Sequence, residues 1–222
     1  MGEFLEQAGP VSYLLLFFGF FGLLTVLERF FAYQRMHINP ADLLVGLNSH
    51  LRKKALAEAR HEAARAPGPI GRVCHAVLMR PDLSMADLRQ VAQDAGRLEI
   101  PRIEKNLRSL LTVAMVAPLL GMLGTVVGLT GTFLKIRDSA AITTTSELSG
   151  GIFQALLTTA LGLTIAIPMY LFYLYFYGRA SSLLHKIEGA GVEIVNLVVD
   201  AQKDGEILSI TEARQEEKRS GK

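Results

Sequence analysis

The sequence has a single cysteine, and charge is missing from three long stretches. Because Cys74 has no second cysteine to pair with, an intrachain disulfide and a cysteine metal cluster are both excluded. Half of the residues are hydrophobic and the mean hydropathy is +0.30, which is too apolar for an ordinary soluble domain of this length. The uncharged stretches 7–27, 109–134 and 148–178 each exceed the roughly 20 residues that a membrane-spanning helix needs. The sequence therefore predicts three transmembrane helices.

Common catalytic motifs are also missing. We find no Ser-His-Asp or His-Glu-x-x-His arrangement, and no glycine-rich phosphate loop between a strand and a helix. The five histidines lack metal-ligand spacing, so we expect them to be solvated: His37, His50, His61, His75 and His185. These absences weigh against an enzyme, and we expect no metal, no cofactor and no nucleic-acid partner.

The distribution of charge predicts the orientation in the membrane. Residues 28–108 hold 14 Lys and Arg against 9 Asp and Glu, whereas only Glu3 and Glu6 precede the first span. By the positive-inside rule, 28–108 and the C-terminal part are cytoplasmic, and the N-terminus and the loop 135–148 are periplasmic. An N-terminus without basic residues also predicts that the first span is retained and is not a cleaved signal peptide.

The predicted fold is an all-α integral membrane protein with a cytoplasmic helical region. The second and third transmembrane helices are long enough to extend beyond the bilayer. The predicted segments are a periplasmic N-terminus (1–10), transmembrane helices at 11–35, 109–134 and 149–177, a cytoplasmic helical domain (36–108), a periplasmic loop (135–148) and a cytoplasmic helix and tail (178–222). At the end of the first span, Arg29, Tyr33 and Arg35 suit anchoring at the membrane interface.

Hydrophobic periodicity predicts the helices outside the membrane. We expect one helix from Pro40 to about Arg65, a short one over 70–79, and one from Ser84 that passes Pro101 and runs into the second span. A further amphipathic helix is expected over 179–200. The charged end 212–222 is predicted to be a disordered tail.

Small and hydroxyl residues form a stripe along the second and third spans. They recur every three or four residues, which places them on one face of each helix and lets another backbone approach closely. In the second span these residues are Ala117, Gly121, Thr125, Gly128 and Thr132; in the third they are Gly151, Ala155, Thr158 or Thr159, Gly162 and Ala166. The short loop between the spans makes them an antiparallel hairpin.

Depth along this hairpin brings two hydroxyls to one level. At about 1.5 Å per residue, Thr125 and Thr159 both lie roughly 14 to 15 Å below its outer end, and Gln154 lies at roughly 7 to 8 Å. Either the threonines bond their own helix's carbonyls and only packing matters, or they line a narrow polar passage. Gln154 similarly bonds an adjacent helix or lines the mouth of the passage. Pro118 and Pro168 each leave one carbonyl without its helical hydrogen bond. The result is either only a kink in the helix, or a hinge or water-binding carbonyl beside a path.

No acidic or basic side chain lies within the three uncharged stretches. An ion path across a membrane normally uses such a group near mid-depth. The chain therefore either moves no ions or forms the walls of a path whose acid comes from a partner.

The two stripes resemble a known family. APLLGMLGTVVGLTGTF (117–133) and GGIFQALLTTALGLTIAIP (150–168) are similar to the paired signatures of the ExbB/TolQ/MotA proton-channel family, nearest to its ExbB and TolQ branch. LERF at 27–30 and the segment leading into the second span support the resemblance, which covers about residues 11–178.

The resemblance implies a homopentamer around a pore that holds a dimer of a single-span ExbD/TolR-type partner. That partner's membrane aspartate would carry the proton, and a TonB/TolA-type protein is a further candidate partner. Thr125 and Thr159 correspond to the hydroxyls that face the aspartate, and Pro118 to the family's second-span proline. Gln154 stands where some members have glutamate, so a titrating role there is in doubt while a pore-lining role is retained.

The implied function is that of an inner-membrane subunit that turns proton motive force into work on the cell envelope, for TonB-type uptake or Tol-type maintenance. A motility stator and a structural scaffold without ion conduction are the alternatives.

Overall fold

The computed structural model describes residues 10–35, 39–138 and 145–220, and all of its regular elements are helices. Seven helices follow one another in the described part of the chain. They are α1 (Pro10–Arg35), α2 (Pro40–Arg52), α3 (Leu56–Arg65), α4 (Pro69–Leu78), α5 (Met85–Glu104), α6 (Leu107–Asp138) and α7 (Thr145–Ser220). Residues 1–9 of the predicted periplasmic N-terminus and 139–144 of the predicted loop 135–148 lie outside the described residues, whereas 135–138 end α6 and 145–148 begin α7.

The fold class is confirmed. Three apolar segments are long enough to cross a membrane, namely Pro10–Gln34, Met85–Leu134 and Ser149–Lys203. The chain divides into two compact units. We call Met1–Phe31 with Glu104–Gly178 the membrane unit, and Ala32–Ile103 with Arg179–Lys222 the helical unit.

In the membrane unit, α1 packs on α6 and α7 through its small residues. Leu15 is fully buried in a cluster with Ala117 and Ala166. A Cβ placed on Gly19 would lie 3.2 Å from the Ile165 side chain, so α1 and α7 are in close contact there. The bulky residues of α1, such as Phe17 and Phe20, are exposed and suit contact with lipid.

The prediction of a single helix from Pro40 to Arg65 is wrong. It starts as expected, with the Asn39 side chain accepting a hydrogen bond from the Ala41 amide and Pro40 in the first turn. It ends at Arg52 because Lys54 adopts a left-handed backbone with φ of 59°, and a second helix begins at Leu56. Lysine is not a typical turn residue, so the pair Lys53 and Lys54 did not predict this turn.

The prediction of one unbroken helix from Ser84 into the second span is also wrong. Pro101 does not interrupt α5, and the break falls at Asn106, whose φ is 59°. Asparagine tolerates the left-handed region better than most residues, which explains its place at this joint. The predicted start is confirmed, since the Ser84 hydroxyl accepts a hydrogen bond from the Asp87 amide at 3.3 Å.

The backbone of α7 is helical to Ser220, in contrast to the disordered tail predicted from Glu212. Ala, Arg, Gln, Glu and Lys dominate this end, and all are good helix formers. The lack of large apolar residues at this end of the chain therefore did not prevent a helical backbone.

The core of the helical unit forms where α4, α5 and α7 meet. Val73, Leu88 and Ile194 have no exposed surface. A Cβ on Gly191 would lie 3.5 Å from Ala92 on α5 and 3.7 Å from Val73 on α4. The Gln202 amide of α7 donates to the carbonyl of Pro81, which ties the turn before α5 to the same helix.

A buried carboxylate joins α4 to α5 in this unit. Glu99 is 3% exposed and accepts hydrogen bonds from Arg72 at 2.8 and 2.5 Å and from Arg102 at 2.8 Å. Burial by itself raises the pKa of Glu99, but the hydrogen bonds and charges of Arg72 and Arg102 outweigh it and hold the pKa below its ordinary value. Glu99 is therefore a charged group that the fold has paired on two sides.

Protonating Glu99 is expected to destabilise the helical unit. Because its pKa is lower in the folded than in the unfolded chain, its stabilisation is present at neutral pH and is lost as the pH falls below about 4.5. Thermal unfolding of the purified protein between pH 7 and 3 should show this loss, and Glu99→Gln should reduce it. An equal acid loss in the Glu99→Gln variant would contradict the assignment.

The thiol of Cys74 is expected to be inert in the folded protein. It is fully buried in α4, and burial raises its pKa to about 12. Since the thiolate is the reactive form, a maleimide should label Cys74 about a hundredfold more slowly in the native protein than in denaturant. Met79→Cys in a Cys74→Ala background is a suitable control because Met79 is exposed. If the native protein and the control variant were labelled at equal rates, the burial of Cys74 would be contradicted.

Candidate functional site

Helices α6 and α7 form an antiparallel pair with its small residues in the contact. A Cβ on Gly162 would lie 2.6 Å from the Ala117 carbonyl oxygen, and one on Gly121 would lie 3.1 Å from the Thr159 Cα. A Cβ on Gly128 would lie 3.2 Å from the Ala155 Cβ, and one on Gly151 would meet the Thr132 side chain. Both predicted stripes thus lie in one contact surface, and the two backbones approach too closely for larger residues.

One hydroxyl joins the two helices directly. The Thr159 hydroxyl donates to the Gly121 carbonyl of α6 at 3.0 Å, across a sequence separation of 38 residues. This bond is possible because Gly121 has no side chain to cover its own carbonyl. Thr159 was expected either to bond a carbonyl of its own helix or to line a passage. It instead bonds a carbonyl of the facing helix.

The other threonines of the contact bond their own helices. Thr125 donates to the Met122 carbonyl at 2.5 Å, Thr158 to the Gln154 carbonyl at 2.8 Å, and Thr132 to the Gly128 carbonyl at 2.9 Å. Thr158 is 1% exposed, and its methyl group faces Gly124. Thr158 is accordingly closed off from any passage by packing.

Thr125 and Gln154 keep part of their side chains accessible, since both are half-buried. Gly121 faces Thr159 and Gly128 faces Ala155, so Thr125 lies between these two levels. Thr159, at the level of Gly121, therefore lies about 6 Å along the helix from Thr125, so the prediction that the two hydroxyls share one depth is off by about one turn.

The two prolines leave their helices continuous. Pro118 lies inside α6 and is half-buried, and Pro168 lies inside α7 and is exposed. A proline has no N–H, so Pro118 leaves the Ala114 carbonyl without its helical donor. That carbonyl is one turn from Ala117, next to the contact with Gly162.

Charged and polar side chains also meet where α1 and α6 lie together. The Asn106 amide donates to Glu28 at 2.6 Å, and Arg29 lies 3.9 Å from Glu28. Arg29 is 2% exposed, so its side chain is enclosed by the protein, and its anchoring of the span at the membrane interface stays a prediction.

Gly124 is a packing residue that the stripe did not include. A Cβ on it would overlap the Thr158 side chain. The spacing of Gly121, Gly124 and Gly128 by three and four residues was a sufficient signal for it.

Comparison with known proteins decides the family. The model of the MotA/TolQ/ExbB proton channel family matches residues 65–189, which include α5, α6 and the part of α7 that faces α6. The chain belongs to this family.

Relatives within the family agree with the branch that the stripes indicated. An ExbB homologue of Methanothermobacter thermautotrophicus is 25% identical over 95% of this chain and 77% of its own length. The biopolymer transport protein ExbB of Xanthomonas campestris is 34% identical over 60% of this chain and 50% of its own length. The Tol-Pal system protein TolQ of Pseudomonas aeruginosa is 33% identical over 47% of this chain and 45% of its own length.

Membership in the MotA/TolQ/ExbB family makes the chain a subunit of the inner-membrane, transport-energising kind. The matched region contains the whole contact between α6 and α7. In the described part of that contact every polar side chain is a hydroxyl or an amide, and no group of metal-binding residues is found among the described residues. The described part of the contact therefore offers hydroxyl and amide groups for hydrogen bonding.

Proposed function

We propose that this chain is the pore-forming subunit of a proton-driven motor in the inner membrane. It works with a dimer of an ExbD/TolR-type single-span protein and converts proton motive force into work on the cell envelope. The relatives named ExbB and TolQ favour uptake or envelope maintenance as the process it energises. The N-terminus and the loop 135–148 are periplasmic, and 36–108 and the C-terminal part are cytoplasmic, as the charge distribution predicts.

The Thr159 to Gly121 hydrogen bond is the observation that carries the proposal. It holds a hydroxyl in a fixed place at the middle of an uncharged helix pair. A wall with a fixed hydroxyl and no acid is suited to receive an acid from elsewhere, and the partner's membrane aspartate supplies it.

The directions of the hydrogen bonds explain how such a wall treats the aspartate. Thr125 and Thr159 both donate their hydroxyl protons to backbone carbonyls, so their oxygens remain available only as hydrogen-bond acceptors. A protonated carboxyl group can donate to an acceptor, whereas a carboxylate needs a donor. At these two positions the wall favours the neutral, proton-loaded aspartic acid.

Gln154 is placed to exchange the proton nearer the outer face. Its amide offers both a donor and an acceptor, and it lies five residues before Thr159 on α7. In the proposed pentamer it stabilises water or the ionised aspartate at the mouth of the pore. An amide cannot carry the proton itself, so the aspartate remains the only titrating group in the path.

Co-expression tests the function as a whole. The chain is expressed with an ExbD/TolR-type protein in cells that lack their own pair, and work that depends on proton motive force is measured. Work should require both proteins and should disappear when the partner's membrane aspartate is changed to asparagine. Work by this chain without a partner, or with the asparagine variant, would contradict the proposal.

A scaffold without ion conduction is the second candidate. It is favoured by the bonds of Thr125, Thr132 and Thr158 to their own helices, which are the ordinary packing arrangement. The scaffold predicts that Thr125→Val and Thr159→Val together leave proton-driven work unchanged, whereas the motor predicts its loss.

A further inference from the structure

The helical unit has a long groove on one side of the contact between α5 and α7. Its floor is small and apolar, formed by Ala92, Gly96 and Ile100 of α5 with Ile187, Gly191 and Val192 of α7. A Cβ on Gly96 would lie 3.6 Å from Ile187, so the two helices are close enough to form a continuous floor. The groove encloses about 420 Å³, which is room for a row of side chains from another helix.

Charge divides the rims of this groove. Arg89 and Arg97 lie on the α5 rim, and Glu188 lies on the α7 rim. The two arginines are eight residues apart, which is about 12 Å along a helix. An occupant that suits the groove has an apolar projection beside two acidic groups at a similar spacing.

The opposite side of α5 has those features. Leu98 is 72% exposed, although it lies in an amphipathic helix with a buried face. At 100° per residue it points away from the groove, and Asp87 and Asp94 lie on the same side as Leu98. These acids are seven residues apart, or about 11 Å. We call this surface the Leu98 face.

We propose that the groove of one subunit receives the Leu98 face of a second copy of this chain. The inference rests on the proposed homopentamer and identifies a surface that holds it together. Because groove and Leu98 face lie on opposite sides of one helix, the contact is heterologous and repeats from subunit to subunit until the ring closes.

Height along the ring axis supports the match. In a closed ring, equivalent residues of all subunits lie at one height, so a face can only meet a groove at its own level. Leu98 lies within the span Arg89–Ile100 that lines the groove. Asp87 is two residues from Arg89, and Asp94 is three residues from Arg97, so both pairs come within about 5 Å in height.

The present partners of these acids are easily exchanged. Asp94 accepts a hydrogen bond from the Gln90 amide at 2.9 Å and lies 3.7 Å from Arg97, both on its own helix and both exposed pairs. Asp87 accepts from the Ser84 hydroxyl at the exposed start of α5. Exposed pairs of this kind contribute little to stability, so an arginine of a neighbouring subunit can replace them.

Disulfide cross-linking of the full-length protein in native membranes tests the contact. Facing contacts of Gly96 with Ile187 and of Gly191 with Ala92 place Leu184 of the groove at the height of Leu98. Leu98→Cys with Leu184→Cys, in a Cys74→Ala background, should give a ladder of covalent oligomers up to the pentamer. Leu98→Cys with Val45→Cys is the control and should give no ladder. Val45 is as exposed as Leu98, but it lies on α2 and does not line the groove. Dimers from Leu98→Cys alone would show a two-fold contact and overturn the proposal.

Charge reversal tests the pairing of the rims. Arg89→Glu with Arg97→Glu, or Asp87→Arg with Asp94→Arg, should each lower the cross-link yield about fivefold or more, because like charges then face each other. All four changes together should restore it. A restored cross-link yield shows charge pairing between subunits, because a folding defect would not be repaired by further charge changes. If the fourfold variant is folded but its cross-link yield stays low, the pairing is overturned.

The subunit count separates this inference from the function. A pentamer by native mass spectrometry without the cross-link between positions 98 and 184 would overturn the proposed contact and leave the motor intact. A monomer in membranes that also hold the single-span partner would overturn the pentamer, and the contact with it.

Discussion

Changing Thr159 to valine is expected to reduce proton-driven work about tenfold or more while the protein still assembles. Valine keeps the shape of threonine, so packing against Gly121 is retained and only the hydroxyl is lost. The lost hydrogen bond costs about 1 kcal/mol of stability, which the rest of the helix pair tolerates. Proton-driven work suffers more, because in the proposed motor the wall then lacks the hydroxyl oxygen that accepts a hydrogen bond from the partner's proton-loaded carboxyl group. Work driven by proton motive force, measured with the partner present, shows the loss.

Thr164→Val is the matched control. Thr164 lies on the same helix and donates to the Ala160 carbonyl of its own turn at 2.8 Å, on an exposed face. Its loss should leave proton-driven work within about twofold of the natural protein. Thr159→Ser, which keeps the hydroxyl, should retain most of the work. Equal losses in Thr159→Val and Thr164→Val would show that the Gly121 bond has no special role.

Changing Gly162 to valine is expected to separate α6 from α7 and to remove the assembled protein from the membrane. A Cβ at this position would lie 2.6 Å from the Ala117 carbonyl oxygen and 3.2 Å from the Gly121 Cα. Both neighbours are backbone atoms that cannot rotate away, so the helices must move apart at a cost of about 3 kcal/mol. Protease resistance of the membrane-embedded protein, together with its steady-state amount, reports the change.

Gly178→Val serves as the comparison for Gly162→Val. Gly178 lies on the same helix, and nothing within 4 Å would meet its Cβ. The variant should accumulate normally. If Gly162→Val were as abundant and protease-resistant as Gly178→Val, the close approach of the two backbones would be contradicted.

The sequence predicted the spans and the packing surface well because both depend on local patterns. Apolar length alone located the three helices, and the three- and four-residue spacing of glycines located the surface where α6 meets α7. The joints at Lys54 and Asn106 were missed because a left-handed residue that is not glycine has a weak signal. Single backbone angles of this kind are set by tertiary packing.

The candidate site was predicted in kind but not in detail. Periodicity placed Thr158 and Thr159 in the same stripe, and only packing separated them: Thr158 is enclosed against Gly124, whereas Thr159 reaches a carbonyl on the facing helix. The direction of a hydroxyl depends on its rotamer and on its neighbours across the contact. Neither quantity is written in the spacing of residues along one helix.

Proton flux into liposomes tests the central claim, that this chain forms the wall of a proton path whose acid comes from a partner. The purified chain is reconstituted alone, with an ExbD/TolR-type partner, and with that partner after Thr125→Val and Thr159→Val, under one imposed pH gradient. Flux should appear only with the partner and should fall about tenfold or more in the double variant. Flux through the chain alone, or undiminished flux in the double variant, would contradict the account.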